Sequence, residues 1–131
     1  MLRDQMTKPK ATSLVPTESD EQQALFTWAK WNMKRYPELE LLTHIPNGGL
    51  RNVVVATKLK AEGTQKGFPD IILPVARQEY HGLAIELKRA KGGRLSEEQK
   101  WWLENLSKQG WLAVVCRGAA EAIDTLKRYL K

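Results

Sequence analysis

Gly67-Phe68-Pro69-Asp70-Ile71-Ile72-Leu73, with Glu86-Leu87-Lys88 sixteen residues beyond Asp70 at the end of the apolar run from Leu83, decides how this chain folds. The run from Asp70 to Val75 and the run from Leu83 to Lys88 each have strand length, and the Arg77-to-His81 link between them predicts an antiparallel hairpin. In that pairing the start of the first strand lies beside the end of the second, so Asp70 falls next to Glu86 and Lys88. Glu86 and Lys88 are two apart and leave the same face of a strand. Alone, a Glu-x-Lys pair is commonly a solvated face or a weak same-face ion pair. Here Leu83, Ala84, Ile85 and Leu87 place it on a strand that sits inside a sheet, where charges need partners. Two carboxylates and an ammonium in one small volume suit phosphodiester hydrolysis. Oxygen ligands take a hard divalent cation such as Mg²⁺ or Mn²⁺, and a lysine beside it polarises or orients the attacking water.

The 131 residues make one domain, long enough to bury about two-thirds of the unfolded surface, so neither a metal nor a disulfide is required for folding. Hydrophobic residues at 42% and charged residues at 27% are ordinary for a soluble protein, and five tryptophans argue against disorder over most of the chain. Residues 1–16, with Lys8, Pro9, Lys10 and Pro16 and no sustained periodicity, are expected to be a flexible segment preceding a domain over 17–131. That segment lacks the apolar centre of a secretory signal, and no run approaches the roughly 18 to 20 apolar residues that span a membrane, so the expected location is the cytoplasm. The single Cys116 excludes an internal disulfide and reads as a small buried apolar residue. A net charge of +6 favours a polyanionic partner. Lys58, Lys60, Lys66, Arg89, Lys91 and Arg94 bracket the carboxylates, where phosphates would enter.

Outward from the hairpin, Ser19 and Gln22 resemble a capping box, and Leu25, Trp28, Ala29, Asn32, Met33 and Tyr36 repeat at helical spacing, predicting a helix from Glu18 to Tyr36. Glu21 lies on the inward stripe of that helix, either as a first-turn carboxylate favouring the helix dipole or as an outer ligand of the metal site. Glu40 to Ile45 reads as a strand, broken by Pro46-Asn47-Gly48-Gly49, whose backbone can approach a phosphate. Asn47 either donates to DNA or shapes its loop. His44 has no partner at metal-ligand spacing. Leu50 to Glu62 reads as a helix ended by Gly63, with Arg51 and Lys60 available to phosphates. Beyond the hairpin, Lys91-Gly92-Gly93-Arg94 is a basic loop. Ser96 and Gln99 form a second capping box ahead of a helix from Glu97 to Lys108, and Gln99 either faces the site or only closes the box. Trp111 to Cys116 reads as a strand and Ala119 to Leu130 as a closing helix. Trp101, Trp102 and Trp111 read as core rather than interface. The order predicts an α/β layer: a mixed sheet flanked by helices.

The set formed by Glu21, Ile45-Pro46-Asn47-Gly48-Gly49, Leu59-Lys60-Ala61-Glu62-Gly63, Gly67-x-Pro69-Asp70, Glu86-Leu87-Lys88 and Leu95-Ser96-x-x-Gln99 resembles the virus-type replication-repair nuclease (VRR-NUC) domain, a branch of the PD-(D/E)xK restriction-endonuclease-like superfamily. The similarity runs roughly from Ser19 to Leu130, and a stand-alone domain of this size looks like the phage and bacterial members. The resemblance implies a restriction-endonuclease-like core, with Asp70, Glu86 and the Leu87 backbone carbonyl as metal ligands and Lys88 orienting water. It implies that Glu21 completes the acidic cluster and that Gln99 supports it. It further implies a Mg²⁺- or Mn²⁺-dependent endonuclease acting on DNA, such as a Holliday junction in DNA repair. A homodimer, and a bacterial or phage-infected cytoplasm, are implied with it. With no recognition helix or zinc finger, selectivity for branched shape is expected over a long sequence, and Asn47, Gly48, Arg51, Lys60, Lys66, Arg89, Lys91 and Arg94 are the expected DNA contacts. The competing expectations are a non-catalytic branched-DNA-binding module and a sequence-specific restriction-type endonuclease.

Overall fold

The computed structural model describes residues 15–46 and 53–131. Its sheet has four strands, β1 (Thr43–His44), β2 (Ile71–Leu73), β3 (Leu83–Lys88) and β4 (Leu112–Arg117), in the spatial order β1-β2-β3-β4. The first three are antiparallel neighbours, and β4 runs parallel to β3. A parallel partner needs a crossover, which α3 (Glu97–Lys108) supplies. Two further helices, α1 (Glu18–Trp31) and α4 (Ala119–Tyr129), pack on one another and on β3, and α2 (Val53–Ala61) joins β1 to β2. The result is the mixed sheet with flanking helices that the sequence predicts, an α/β fold of restriction-endonuclease-like type. Among the described residues no helix is long and apolar enough to cross a membrane.

All six residues of β3 are buried, as befits a strand with a partner on each edge and cover on both faces. Leu83, Ile85 and Leu87 leave one face and join Leu25 and Ala29 of α1 and Ala122, Leu126 and Tyr129 of α4 in the main core. Full burial of each such leucine or isoleucine is worth about 1.5–3 kcal/mol. Ala84, Glu86 and Lys88 leave the opposite face. The hairpin that brings β2 to β3 turns at Gln78 and Glu79, with φ of 52° and 74°, the paired positive values of a type I′ turn. The Gln78 amide donates to the carbonyls of Arg128 and Tyr129, at 2.7 and 3.1 Å, and ties the turn to the end of α4.

Several boundaries depart from the expectations. The box at the start of α1 is built by Thr17 and Asp20 rather than Ser19 and Gln22: the Asp20 N–H donates to Thr17 Oγ1 at 3.1 Å and the Thr17 N–H to Asp20 Oδ2 at 2.9 Å. This helix ends at Trp31, not Tyr36, because Asn32 closes it, its N–H on the Ala29 carbonyl and its side-chain amide on that of Trp28. Pro37 then opens a 3₁₀ turn, Pro37–Leu41, which takes Glu40 and Leu41 out of the expected strand. Pro74, which has no N–H to donate, stops β2 at Leu73 instead of Val75. The predicted Glu97–Lys108 helix has those ends. Of the Leu50-to-Glu62 helix, Val53–Ala61 is seen, closed by Gly63 at φ 103°. Residues 1–14 of the expected flexible segment, and Asn47, Gly48 and Arg51, lie outside the described residues.

Candidate active site

The hairpin register assembles the carboxylates. Ile71 pairs with Ile85, so Asp70, one residue earlier, stands across from Glu86. Asp70 Oδ2 accepts the Leu87 N–H at 2.8 Å, which aims the side chain along the strand that carries Glu86. The Asp70 carbonyl takes the Ile45 N–H at 2.7 Å and lies 3.0 Å from His44 Nδ1, so β1 holds the backbone on the other side. His44 therefore touches the Asp70 backbone rather than the reacting region. Gly67 fits the loop before Asp70 against α3. Its φ is 91°, and a Cβ there would stand 2.6 Å from the Glu98 Cβ and 2.9 Å from the Gln99 nitrogen. Only a residue without a side chain lets that loop and that helix meet.

Glu86 is 1% exposed and Lys88 7%, an unusual depth for either type. Gln99 reaches across from the first turn of α3 and donates its side-chain amide to Glu86 Oε2 at 3.0 Å. Its Oε1 accepts the Ser96 N–H at 2.8 Å. Both sequence alternatives for Gln99 thus hold at once: one end of the amide closes the capping box while the other faces the site. Lys88 Nζ is 4.0 Å from the same Glu86 oxygen, a loose contact. Among the described residues the second oxygen, Oε1, is buried with no hydrogen-bond donor. Burial, and after it the neighbouring Asp70 carboxylate, push the Glu86 carboxyl up to about 9, against the pull of Lys88. A buried acceptor left open in this way costs stability, which makes it the most informative atom of the site.

The acidic side chains of α1 divide their roles in a way the sequence does not reveal. Glu21 Oε1 accepts the Ala119 N–H at 2.9 Å, and its carboxylate packs within 3.4–3.6 Å of where a Cβ on Gly118 would be. It caps the start of α4, a helix other than its own, which neither sequence alternative included. The charge of Glu18 raises the Glu86 carboxyl further, less than burial and Asp70 do. Glu18 Oε2 and the Lys88 side chain both come within 4.0 Å of the Cβ position of Gly93. The signal available in sequence was its place one turn before Glu21, at the very start of the helix.

Of the expected DNA contacts, Lys60, Lys66, Lys91 and Arg94 are exposed. Arg89 is engaged instead with the preceding chain, donating to the Pro16 and Val15 carbonyls at 3.3 Å each. Arg117, which no motif singled out, donates to the Gly92 carbonyl at 2.7 Å and the Gly93 carbonyl at 3.3 Å. It pins the basic glycine loop from the end of β4.

Among the described residues no three acidic, histidine or cysteine side chains already converge as a finished metal cage. The donor set nevertheless fits a hard divalent ion. Asp70 and Glu86 offer oxygen only, they face each other, and Glu86 Oε1 is buried with no donor among the described residues. With the geometry stated, the comparisons are specific. The VRR-NUC domain model matches residues 9–120. A solved structure described as a VRR-NUC domain protein is 30% identical over 87% of this chain and 88% of its own, with a TM-score of 0.73. No curated protein matches the chain.

Proposed function

Since this chain belongs to the VRR-NUC domain family, a nuclease-like family, we propose that it is a metal-dependent, structure-selective DNA endonuclease acting on branched substrates such as Holliday junctions. The observation that carries this is Glu86, buried with one open oxygen opposite Asp70 and sharing a strand face with Lys88. Asp70 and Glu86 would hold one or two Mg²⁺ or Mn²⁺ ions, with the Leu87 carbonyl as a further oxygen. When bound, such an ion neutralises the charge that develops on the phosphoryl oxygens and lowers the pKa of water.

The chain's own groups do the rest. Lys88, on the face of Glu86, orients the attacking water and stabilises the phosphorane charge with its ammonium. Gln99 fixes the Glu86 carboxylate by one oxygen and leaves the other for the ion, while the Leu87 N–H does the same for Asp70. On α1, Glu21 would complete the acidic cluster while its Oε1 holds the start of α4, and the charge of Glu18 acts on Glu86. Lys60, Lys66, Lys91 and Arg94 take backbone phosphates and read no bases. A homodimer is the assembly suited to paired cuts, and the uncovered Val53 and Val54 of α2, 80% and 77% exposed, supply apolar area for it.

Metal-stripped protein incubated with labelled four-way junction, flap and linear duplex, with and without Mg²⁺ or Mn²⁺, tests this directly. Metal-dependent cutting of branched DNA is expected, falling by roughly 10²–10⁴-fold in Lys88→Ala and Asp70→Ala. Tight junction binding without cutting would mark a binding module instead. Cuts confined to one short sequence in linear duplex would mark a restriction-type enzyme.

A further inference from the structure

We propose that the open cleft between the 65–68 loop and the first turns of α3 receives an unpaired nucleobase of the DNA, stacked on Trp101. This rests on the nuclease reading and supplies what that reading lacks, a physical source of preference for branched DNA.

Trp101 is 54% exposed, against the expectation that it is core. It is nonetheless held in place. Its ring meets Trp102 edge-on at 5.3 Å and 87°, and Trp102 meets Phe68 at 4.9 Å and 81°. These three rings form a ladder from solvent to a residue two positions before Asp70. A rigid, solvent-facing indole loses little freedom when a base stacks on it. The cleft beside it measures about 380 Å³, within the roughly 300–1,000 Å³ of ligand clefts.

The cleft and the candidate active site are carried by the same two stretches of chain. The loop that contributes Gln65 and Lys66 runs on through Gly67 to Asp70, and the helix that contributes Glu97, Glu98, Trp101 and Trp102 carries Gln99 to Glu86. The segment leading to Asp70 and the helix carrying Gln99 thus connect the cleft to the candidate site through the chain.

The lining selects a base over a phosphate. Glu97 and Glu98 repel the phosphate backbone, yet carboxylates accept hydrogen bonds from exocyclic amino groups, as they do from cytosine N4. Glu97 is partly neutralised by Lys100 at 3.2 Å. Among the described residues Lys66 is the one cation of the lining, placed for the phosphate that follows. Taking a base out of a duplex costs unstacking and unpairing, and least where the base is already unpaired. The cleft therefore favours branch points, flaps and bulges with no need to read sequence.

The test uses the full chain and Trp101→Ala and Trp101→Phe variants. The substrates are a linear duplex, the same duplex with one unpaired nucleotide, and that substrate with the unpaired base removed to leave an abasic sugar. In Mg²⁺ the wild type is expected to cut the base-bearing substrate in preference to the duplex. Trp101→Ala should lower that preference about tenfold, the scale of losing one base–aromatic stack, chiefly through KM. Trp101→Phe should restore most of it, and the abasic substrate should mimic the loss in wild type but add nothing in Trp101→Ala. An unchanged preference in Trp101→Ala overturns the proposal. So does an equal loss on all three substrates, or a dimer that dissociates in the variant, which would make Trp101 an interface residue. If the wild type cuts nothing, the nuclease reading fails, and binding without metal decides this one separately. Quenching of tryptophan fluorescence by base-bearing over abasic oligonucleotide, at least fivefold tighter in wild type and lost in Trp101→Ala, upholds the cleft. Equal binding of the two overturns it.

Discussion

At the scale of single residues, the site is built around a conflict at Glu86. In the unfolded chain its carboxyl ionises near the ordinary 4.5, and in the fold it holds its proton up to about 9. Between those values the folded chain binds more protons than the unfolded one, so the metal-free protein loses stability as pH rises from about 4.5 to about 9. Glu86→Gln removes the titration and keeps the shape. Thermal melts in a chelator should therefore show the variant more stable than wild type at pH 8, with the gap closing near pH 5. Added Mg²⁺ should raise the wild-type melting temperature and leave the variant's unmoved, while the variant is inactive. The carboxylates and Lys88 were legible because period-2 alternation and a hairpin link fix their neighbourhood. Glu18 was not, since its influence on Glu86 depends on how α1 packs on β3, a tertiary relation with no local pattern. Arg117 escaped for the same reason: its partners are backbone carbonyls of Gly92 and Gly93, far off in sequence.

Among the elements, what the sequence missed were ends. Capping at Ser96 and Gln99 was legible because only one Ser-x-x-Gln precedes that apolar run. At α1, Thr17, Ser19 and Asp20 compete as caps, and the extended backbone at Thr17 settles the contest. The expected strand over Glu40–Ile45 gave way to a turn whose Pro37 presets helical φ and whose Leu39 is buried. The link between α1 and α4 through Glu21 makes a prediction that separates structure from chemistry. Glu21→Ala should cost about 1–2 kcal/mol in denaturant unfolding, by loss of a cap, whereas Glu21→Gln keeps an acceptor for the Ala119 N–H and should cost less than half of that. Glu18→Gln should leave unfolding nearly unchanged but reduce the Mg²⁺-induced rise in melting temperature. A Glu21→Gln variant of normal stability that loses the Mg²⁺ effect would place Glu21 among the ligands.

For the molecule as a whole, a charge of +6 matters through where it lies. Lys91 and Arg94 project from the loop that Arg117 pins, and each phosphate neutralised adds about 0.9 to the slope of log affinity against log salt. With the Glu86→Gln protein in chelator, anisotropy titrations of duplex-armed junction DNA between about 50 and 200 mM salt should give a slope smaller by nearly two when Lys91 and Arg94 are both changed to alanine. Changing Lys108, which pairs with Glu104 at the far end of α3, should leave it alone. The global fold was legible because its elements alternate cleanly, each with its own period. The surface was not, since Trp101 has the same spacing signal as a core residue. The ties to Arg117 and Ala119 bear finally on biosynthesis. A nascent chain that has emerged only through β3 already carries Asp70 and Glu86, but not the residues that fix the glycine loop and hold α1. The glycine loop and α1 therefore gain these ties only once β4 and the start of α4 have been synthesised.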